Sequence, residues 1–374
     1  MRIIFACGGT AGHINPAIAV AGRIKELMPD SEFLFIGAKG QMETDLVPRA
    51  GYKIETVRVR ALSRDKTLGG LFHNISAAWH LIRSTIIVKK IIKRFKPDVV
   101  VGTGGYVCYP VLKAASMLGI PTAVHESNAV PGLTTRMLSK IVDMIMLGFE
   151  ESRKYYKNPE KTVVTGTPVR GEFSKYSKKT AKAELGIPID KPLVVSVWGS
   201  LGAANMNAAM CQFIKLAGSN AGFTLIHSAG SEGYAEMVTT LQEIAPDYEK
   251  NGMDVREYIY DMPRVMAAAD IVLCRAGAST ISELTYMHKP TIFVPSPFVT
   301  NNHQFKNAKV VEDAGGALIF EEGWFEPKEL LNAVKRILSS PDELNKMSAA
   351  MEKLAMPEAT NMICDRIFSL CKSK

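Results

Sequence analysis

Several things are scarce in this 374-residue chain, and each absence removes a class of function. None of the six cysteines (Cys7, Cys108, Cys211, Cys274, Cys364, Cys371) belongs to a CxxC pair, and most lie in apolar, strand-like runs. That argues against a zinc site or a disulfide frame and points to free thiols in a reducing compartment. No apolar run approaches the length of a spanning helix. The opening MRIIFAC is too short for a signal-peptide core and runs straight into a glycine turn. The expectation is a cytosolic protein whose membrane contact must be peripheral. No Gly-Lys-Ser/Thr follows the first glycine turn, which excludes a Walker A loop. No DxD-like carboxylate pair stands at a fitting strand end, so neither a metal nor another cofactor is expected. No basic strand interleaved with aromatics is present, which argues against a nucleic-acid partner.

What is there reads as a globular protein of two domains. Hydrophobic residues make up 47% and charged residues 22%, ordinary proportions for a soluble chain. Domains of roughly 100–200 residues predict two. The net charge of +8 suggests an anionic partner (nucleic acid, an acidic membrane face or phosphorylated substrates), with a merely soluble basic surface as the plainer alternative.

Short β-branched runs alternate with longer helical patterns, the signature of parallel α/β sheets. Six strands with crossover helices, beginning at Ile3–Cys7 and ending at Thr162–Thr165, fit one doubly wound domain. Its first helix is expected from about Pro16 to Met28. The stretch Gly166-Thr167-Pro168-Val169-Arg170, a lysine-rich segment and Gly186-Ile187-Pro188 read as the junction. A second series starts at Leu193–Trp198 and ends at Ala317–Phe320. The expected division is residues 1–165 as the first domain and 166–357 as the second. A last helix within 358–374 is expected to pack back on the first.

Glycine turns sit where strands pass into helices. Gly8-Gly9-Thr10-Ala11-Gly12-His13 combines backbone freedom with a helix N-terminus, a cradle for a phosphate or other oxyanion. Its glycine spacing does not fit GxGxxG, and Leu34-Phe35-Ile36-Gly37 ends the second strand without an acid, so a dinucleotide reading is weak. Gly102-Thr103-Gly104-Gly105-Tyr106 is a second such turn. His125-Glu126-Ser127-Asn128 ends the next strand and belongs to the same crevice, since ligands of doubly wound sheets bind outside the carboxyl ends of the strands. In the second half, Gly199-Ser200-Leu201-Gly202 and Arg275-Ala276-Gly277-Ala278-Ser279-Thr280-Ile281-Ser282-Glu283 occupy matching places. Small residues at a helix N-terminus can hold a diphosphate without a lysine. Glu283 suits ribose hydroxyls, although taken alone it reads more simply as a first-turn acid on the helix dipole. Asn301-Asn302-His303-Gln304 and Asn307 form an amide-rich cluster suited to sugar hydroxyls; ordinary turn and capping chemistry is the plainer alternative.

The stretches GGTAGHINPAIAVA, GTGGYVCYP, HESNAVPG, GTPVR, GSLGAANMN, RAGASTISEL and NNHQFKNA run in order from residue 8 to residue 308. Together they resemble the MurG-type family, the UDP-N-acetylglucosamine:lipid-linked muramoyl-pentapeptide N-acetylglucosaminyltransferases of bacterial peptidoglycan synthesis. The resemblance implies an α/β GT-B fold, two Rossmann-like doubly wound parallel-sheet domains with an interdomain cleft. It implies inverting transfer of GlcNAc from UDP-GlcNAc to the C4 hydroxyl of undecaprenyl-pyrophosphoryl-MurNAc-pentapeptide, converting lipid I to lipid II at the cytoplasmic face of the cell membrane. By position, Thr10, Ala11 and Gly12 contact the donor, Asn128 bonds the GlcNAc, and Arg170 and Ser200 bind the nucleotide-diphosphate portion. Ile259 reads uracil through its backbone. Ala278, Ser279, Thr280, Ile281, Ser282 and Glu283 wrap the diphosphate and ribose, and Gln304 holds a sugar hydroxyl. The turns carrying Gly9 and Gly104, Gly105 and Tyr106 hold the acceptor pyrophosphate. Ala11 and Trp198 stand where the family usually has glycine; a methyl at 11 requires a negative φ there. Related lipid glycosyltransferases and UDP-GlcNAc 2-epimerases share the fold and are the alternatives.

An inverting transferase needs a base for the acceptor proton and support for the departing diphosphate. His13 is the first candidate base and Glu126 the second; a structural cap is the alternative for His13. Residues 79–96, WHLIRSTIIVKKIIKRFK, have the composition of a helix lying on an anionic lipid surface. Leu68-Gly69-Gly70-Leu71-Phe72, just before them, reads as an inserting loop. An amphipathic crossover helix packed on the sheet accounts for part of the same pattern.

Overall fold

The computed structural model describes residues 1–59, 67–169, 171–199 and 202–372; within 68–78, the side chains of 68, 70–75 and 78 are also outside the description. The chain forms two compact units, Met1–Arg170 with Met356–Lys374, and Gly171–Ala355.

The first unit runs β1 (Arg2–Cys7), α1 (Ala11–Leu27), β2 (Glu32–Ala38), α2 (Glu43–Arg49), β3 (Lys53–Val57), α3 (Leu68–Phe95), β4 (Val99–Gly104), α4 (Cys108–Met117), β5 (Thr122–Glu126), α5 (Leu133–Leu138), β6 (Met144–Leu147) and β7 (Thr162–Val164). Its sheet has seven strands, in the order β3-β2-β1-β4-β5-β6-β7, and every pairing is parallel. β1 shows why the sequence folds this way. Successive side chains of a strand point to opposite faces, so Ile4 and Ala6 join one core with Val88 and Ile91 of α3 and Val111 of α4. Ile3, Phe5 and Cys7 join the other with Ile14 and Val20 of α1. A strand apolar on both faces must be covered on both, which the crossover helices do.

α1 begins at Ala11, a turn and a half ahead of the expected start, and carries Pro16 inside it. The segment 68–72, read as a loop, is the first turn of α3; its side chains other than Gly69 lie outside the description.

The second unit runs α6 (Lys178–Glu184), β8 (Leu193–Val197), α7 (Ala204–Ala217), β9 (Thr224–Ser228), α8 (Tyr234–Ile244), β10 (Met253–Arg256), α9 (Met262–Ala268), β11 (Ile271–Cys274), α10 (Ala278–Tyr286), β12 (Thr291–Phe293), α11 (His303–Asp313), β13 (Ala317–Ile319), α12 (Pro327–Leu338) and α13 (Pro341–Leu354). Its sheet is again parallel, in the order β10-β9-β8-β11-β12-β13.

The chain then returns to the first unit as α14 (Ala359–Lys372). Ile363, Cys364 and Ile367 are buried against the α1 face of the first sheet, and Arg23 Nε donates to Asn361 Oδ1 at 2.7 Å. Burying each isoleucine contributes about 1.5–3 kcal/mol, enough to anchor a short helix.

In both sheets the chain starts in the middle, builds one way and then reverses. The reversal lies between β1 and β4 in the first sheet and between β8 and β11 in the second. Such switch points leave a crevice at the carboxyl ends of the two central strands. The glycine turns follow these four strands.

Candidate active site

At the first switch point only one residue of the first turn requires left-handed backbone: Gly9, with φ +89°. Thr10 is the extended N-cap of α1. Ala11 is the first helical residue and is not among the positive-φ residues, so its methyl is accommodated. The imidazole of His13 turns back onto the loop. Its Nδ1 lies 3.1 Å from the Gly8 carbonyl oxygen and 3.5 Å from Thr10 Oγ1. A carbonyl only accepts, so Nδ1 carries the proton and the neutral ring keeps its lone pair on Nε2.

The second turn is pressed against the first. The β1–β4 register slips between Ala6 and Cys7, pairing Ala6 with Gly102 and Cys7 with Gly104. Thr103 is the extra residue of this bulge, and its Oγ1 donates to the His13 carbonyl at 2.6 Å. Bulges beside active sites re-aim a side chain in this way. Gly8 N–H donates to the Gly104 carbonyl at 3.2 Å. A β-carbon on Gly104 would come within 2.3 Å of the His13 ring, and one on Gly105 within 2.3 Å of the Gly8 carbonyl oxygen. Both glycines also have positive φ, +123° and +89°. Close approach of the two turns therefore accounts for them. Tyr106 follows, exposed.

At the end of the adjacent β5, Glu126 is buried. Its Oε1 accepts the Asn128 backbone N–H at 3.1 Å and the Asn128 side-chain amide at 3.0 Å. Its Oε2 accepts Gly132 N–H at 3.0 Å. These bonds shape the turn that presents Asn128. His125 is buried too: its Nε2 donates to the Gly166 carbonyl at 2.8 Å and its Nδ1 accepts from Ser127 Oγ at 3.2 Å. Burial lowers its pKa and keeps it neutral.

One carboxylate beneath the first turn was not foreseen. Glu43 opens α2 and is fully buried. Its Oε2 accepts Gly9 N–H at 3.0 Å and its Oε1 accepts Ala38 N–H at 2.7 Å. From sequence it reads as an ordinary first-turn acid. The trace it leaves is Gly8 and Gly37, where a β-carbon would lie 2.2 Å and 2.5 Å from its side chain.

In the second unit, α10 starts directly after β11 with Gly277 as an extended N-cap and no side-chain capping bond. That arrangement leaves the anion-attracting end of a helix at the switch point. Ala278 and Ile281 are buried, and Ser279, Thr280, Ser282 and Glu283 are partly exposed. Ser282 Oγ donates back to the Ala278 carbonyl at 3.1 Å. Ile259 is buried beside exposed Tyr260. Gln304, in the first turn of α11, accepts Ser296 N–H on Oε1 at 2.9 Å, which turns its Nε2 donors away from that strand end. The preceding Asn301 and Asn302 both have left-handed backbone, φ +58° and +51°, a strain that persists where surrounding structure enforces it. Asn307 does not share the surface with them: it is fully buried, and its amide donates to the Ala276 carbonyl at 3.3 Å. Arg170 and Ser200 lie outside the described residues.

Trp198, where the family usually has glycine, points into the core of the second unit, and Gly199, with φ +107°, makes the turn instead. The Arg275 guanidinium lies over the Trp198 ring at 5.8 Å. It pairs with Glu322 at 2.7 Å and donates to the Val294 carbonyl at 2.9 Å. This network, also not foreseen, ties together the strand ends that carry the α10 turn.

Sequence comparison matches residues 3–147 to the glycosyltransferase family 28 N-terminal domain and residues 193–363 to its C-terminal domain. The UDP-N-acetylglucosamine--N-acetylmuramyl-(pentapeptide) pyrophosphoryl-undecaprenol N-acetylglucosamine transferase of Acetivibrio thermocellus is 42% identical over 374 residues, 100% of this chain and 99% of its own. The crystal structure of Acinetobacter baumannii MurG superposes with a TM-score of 0.77 at 26% identity, covering 98% of this chain and 99% of that one. UDP-GlcNAc 2-epimerase from Neisseria meningitidis gives a TM-score of 0.67 at 15% identity, over 99% and 100% of the two chains, a likeness of fold alone.

Proposed function

This chain belongs to glycosyltransferase family 28 and is a hexosyltransferase of the GT-B fold, and we propose that it transfers GlcNAc from UDP-GlcNAc to the C4 hydroxyl of undecaprenyl-pyrophosphoryl-MurNAc-pentapeptide with inversion. The observation that carries this reading is the 42% identity along the whole chain to a transferase of that name.

The acceptor hydroxyl oxygen attacks the anomeric carbon as the bond from that carbon to the UDP diphosphate breaks. The electron pair leaves with UDP, and the hydroxyl proton passes to His13 Nε2. Support for His13 is its Nδ1–H bond to the Gly8 carbonyl, which reserves Nε2 for the incoming proton. The N-terminal turn of α10 from Ala278 to Glu283, with Ser200 and Arg170, takes the diphosphate and ribose. Ile259 reads the uracil through its backbone. Gln304 Nε2 donates to a sugar hydroxyl, and Asn128 bonds the GlcNAc. Thr10, Ala11 and Gly12 complete the donor contacts. The turns at Gly8–Gly12 and Gly102–Tyr106 take the acceptor pyrophosphate.

The lipid end of the acceptor requires a membrane surface, and α3 supplies a fitting one. Ala77, Ser84, Val88, Ile91 and Ile92 are buried on one side of the helix. At 100° per residue, Trp79, Ile82 and Ile86 fall on the opposite side, where they are 56%, 63% and 54% exposed. Arg83, Lys90 and Lys93 share that side. An apolar stripe interleaved with cations suits the cytoplasmic face of an anionic membrane. Among the described residues no helix is long and apolar enough to cross a membrane.

The test is transfer of labelled GlcNAc from UDP-GlcNAc to a lipid-linked muramoyl acceptor. Labelled lipid product is expected; UDP-GlcNAc binding without any product would overturn the reading.

A further inference from the structure

The Gly9 N–H and the Gly8 C=O are the two ends of one peptide unit. The first donates to buried Glu43 and the second accepts from His13. In a trans peptide these groups point in opposite directions, so the plane is held from both sides. We propose that Glu43 is a positioning residue for the base: it acts on His13 through the Gly8–Gly9 peptide. This rests on the reading of His13 as the base.

Both Glu43 oxygens accept backbone N–H groups, the pattern of an ionised carboxylate. An isolated buried charge is costly, and the two N–H bonds offset that cost. A charged acceptor on the peptide N–H draws its proton and enriches the carbonyl oxygen at the other end, because the amide is conjugated and linked hydrogen bonds polarise one another. The enriched oxygen binds Nδ1–H more strongly. That fixes the tautomer with Nε2 open, and it stabilises the imidazolium formed when Nε2 takes a proton. A carboxylate bonded directly to a histidine does the same in acyl-transfer triads; here a peptide unit stands between them.

The surroundings pack closely around the plane. Gly8 and Gly37 leave the space the carboxylate fills, and Gly105 closes on the Gly8 carbonyl oxygen. Glu43 also ties Ala38 to the start of α2. A purely structural role would show in stability and leave the tautomer of His13 unmoved.

The test uses the whole chain with isotope-labelled histidine, read by nitrogen NMR at a pH where the ring is neutral, with the His13 signals assigned by their loss in His13→Gln. The wild type is expected to carry its proton on Nδ1. Glu43→Gln keeps the shape but places a donor against one of the two N–H groups. It is expected to give a mixture of tautomers, with kcat lowered about 10–100-fold, as when a histidine loses its orienting partner, and KM for UDP-GlcNAc within about twofold. Gly37→Ala, whose β-carbon would lie 2.5 Å from Glu43 Cγ and 3.1 Å from Ile54 Cδ1 and so displaces the Glu43 side chain, is a second route to the same result if Glu43→Gln does not fold. An unmoved Nδ1–H tautomer in a folded variant overturns the proposal, as does a kcat within about twofold of wild type. The tautomer is read without turnover, so it stands apart from the base assignment, which fails if His13→Gln retains wild-type kcat.

Discussion

Gly105 lies against the carbonyl oxygen of Gly8, so closely that a β-carbon at 105 would sit 2.3 Å from it. Gly105→Ala must therefore push the two turns apart, and it adds a methyl at φ +89°. We expect a loss of about 1–3 kcal/mol in stability from strain and overpacking. Because the displaced oxygen is the one that holds His13 Nδ1, kcat should fall more than about tenfold. Thermal unfolding and steady-state transfer check the two effects separately.

The pair between Arg275 and Glu322 is nearly closed to solvent, with side chains 14% and 6% exposed. Removing one partner of a buried pair strands the other charge and costs about 3–5 kcal/mol. Glu322→Ala should lose stability on that scale and weaken UDP-GlcNAc binding, since Arg275 immediately precedes the α10 turn. Denaturant unfolding and a UDP-GlcNAc titration measure both.

His227 is fully buried, with Nδ1 3.0 Å from Ser196 Oγ, and burial pushes its pKa from 6.5 down to about 3. Between those values the unfolded chain binds a proton that the folded chain refuses. Stability must therefore fall as pH drops from about 6.5 toward 3, by up to about 1.4 kcal/mol per pH unit. His125 adds a fall in the same direction. His227→Gln should flatten the curve of unfolding free energy against pH over that range; an unchanged slope contradicts the assignment.

The parallel sheets were legible because strands buried on both faces read as unbroken apolar runs, as in Val99-Val100-Val101. The glycine turns were legible because few other residues suit those backbones. Helix starts were less so. Pro16 looks like a first helical residue, yet Thr10 caps the helix earlier and Pro16 is carried inside. The roles of buried polar groups were least legible. Glu126 reads as a candidate base, while its oxygens are engaged by Asn128 and Gly132. Asn307 reads as part of a sugar-binding cluster, and its side chain faces inward. Glu43 reads as an ordinary first-turn acid, and Gly8 and Gly37 mark its place only once the fold brings them together, because whether such an acid meets water or the back of a neighbouring turn depends on contacts distant in sequence.

The exposed face of α3 predicts lipid binding that requires both apolar and cationic groups. Replacing Trp79 and Ile82 together by Glu removes two exposed apolar side chains and adds like charge facing an anionic surface. Binding to vesicles containing anionic lipid should fall at least about tenfold, while turnover of a water-soluble acceptor analogue should be unchanged. Co-sedimentation with anionic and with neutral vesicles measures it.

The most direct measurement of the central claim is steady-state transfer of GlcNAc to the lipid-linked muramoyl acceptor by the wild type and by His13→Ala, with UDP-GlcNAc affinity measured alongside. If Nε2 of His13 takes the acceptor proton, kcat falls about 10²–10⁴-fold while the donor still binds. A fall of less than about tenfold, with product still formed, would contradict it.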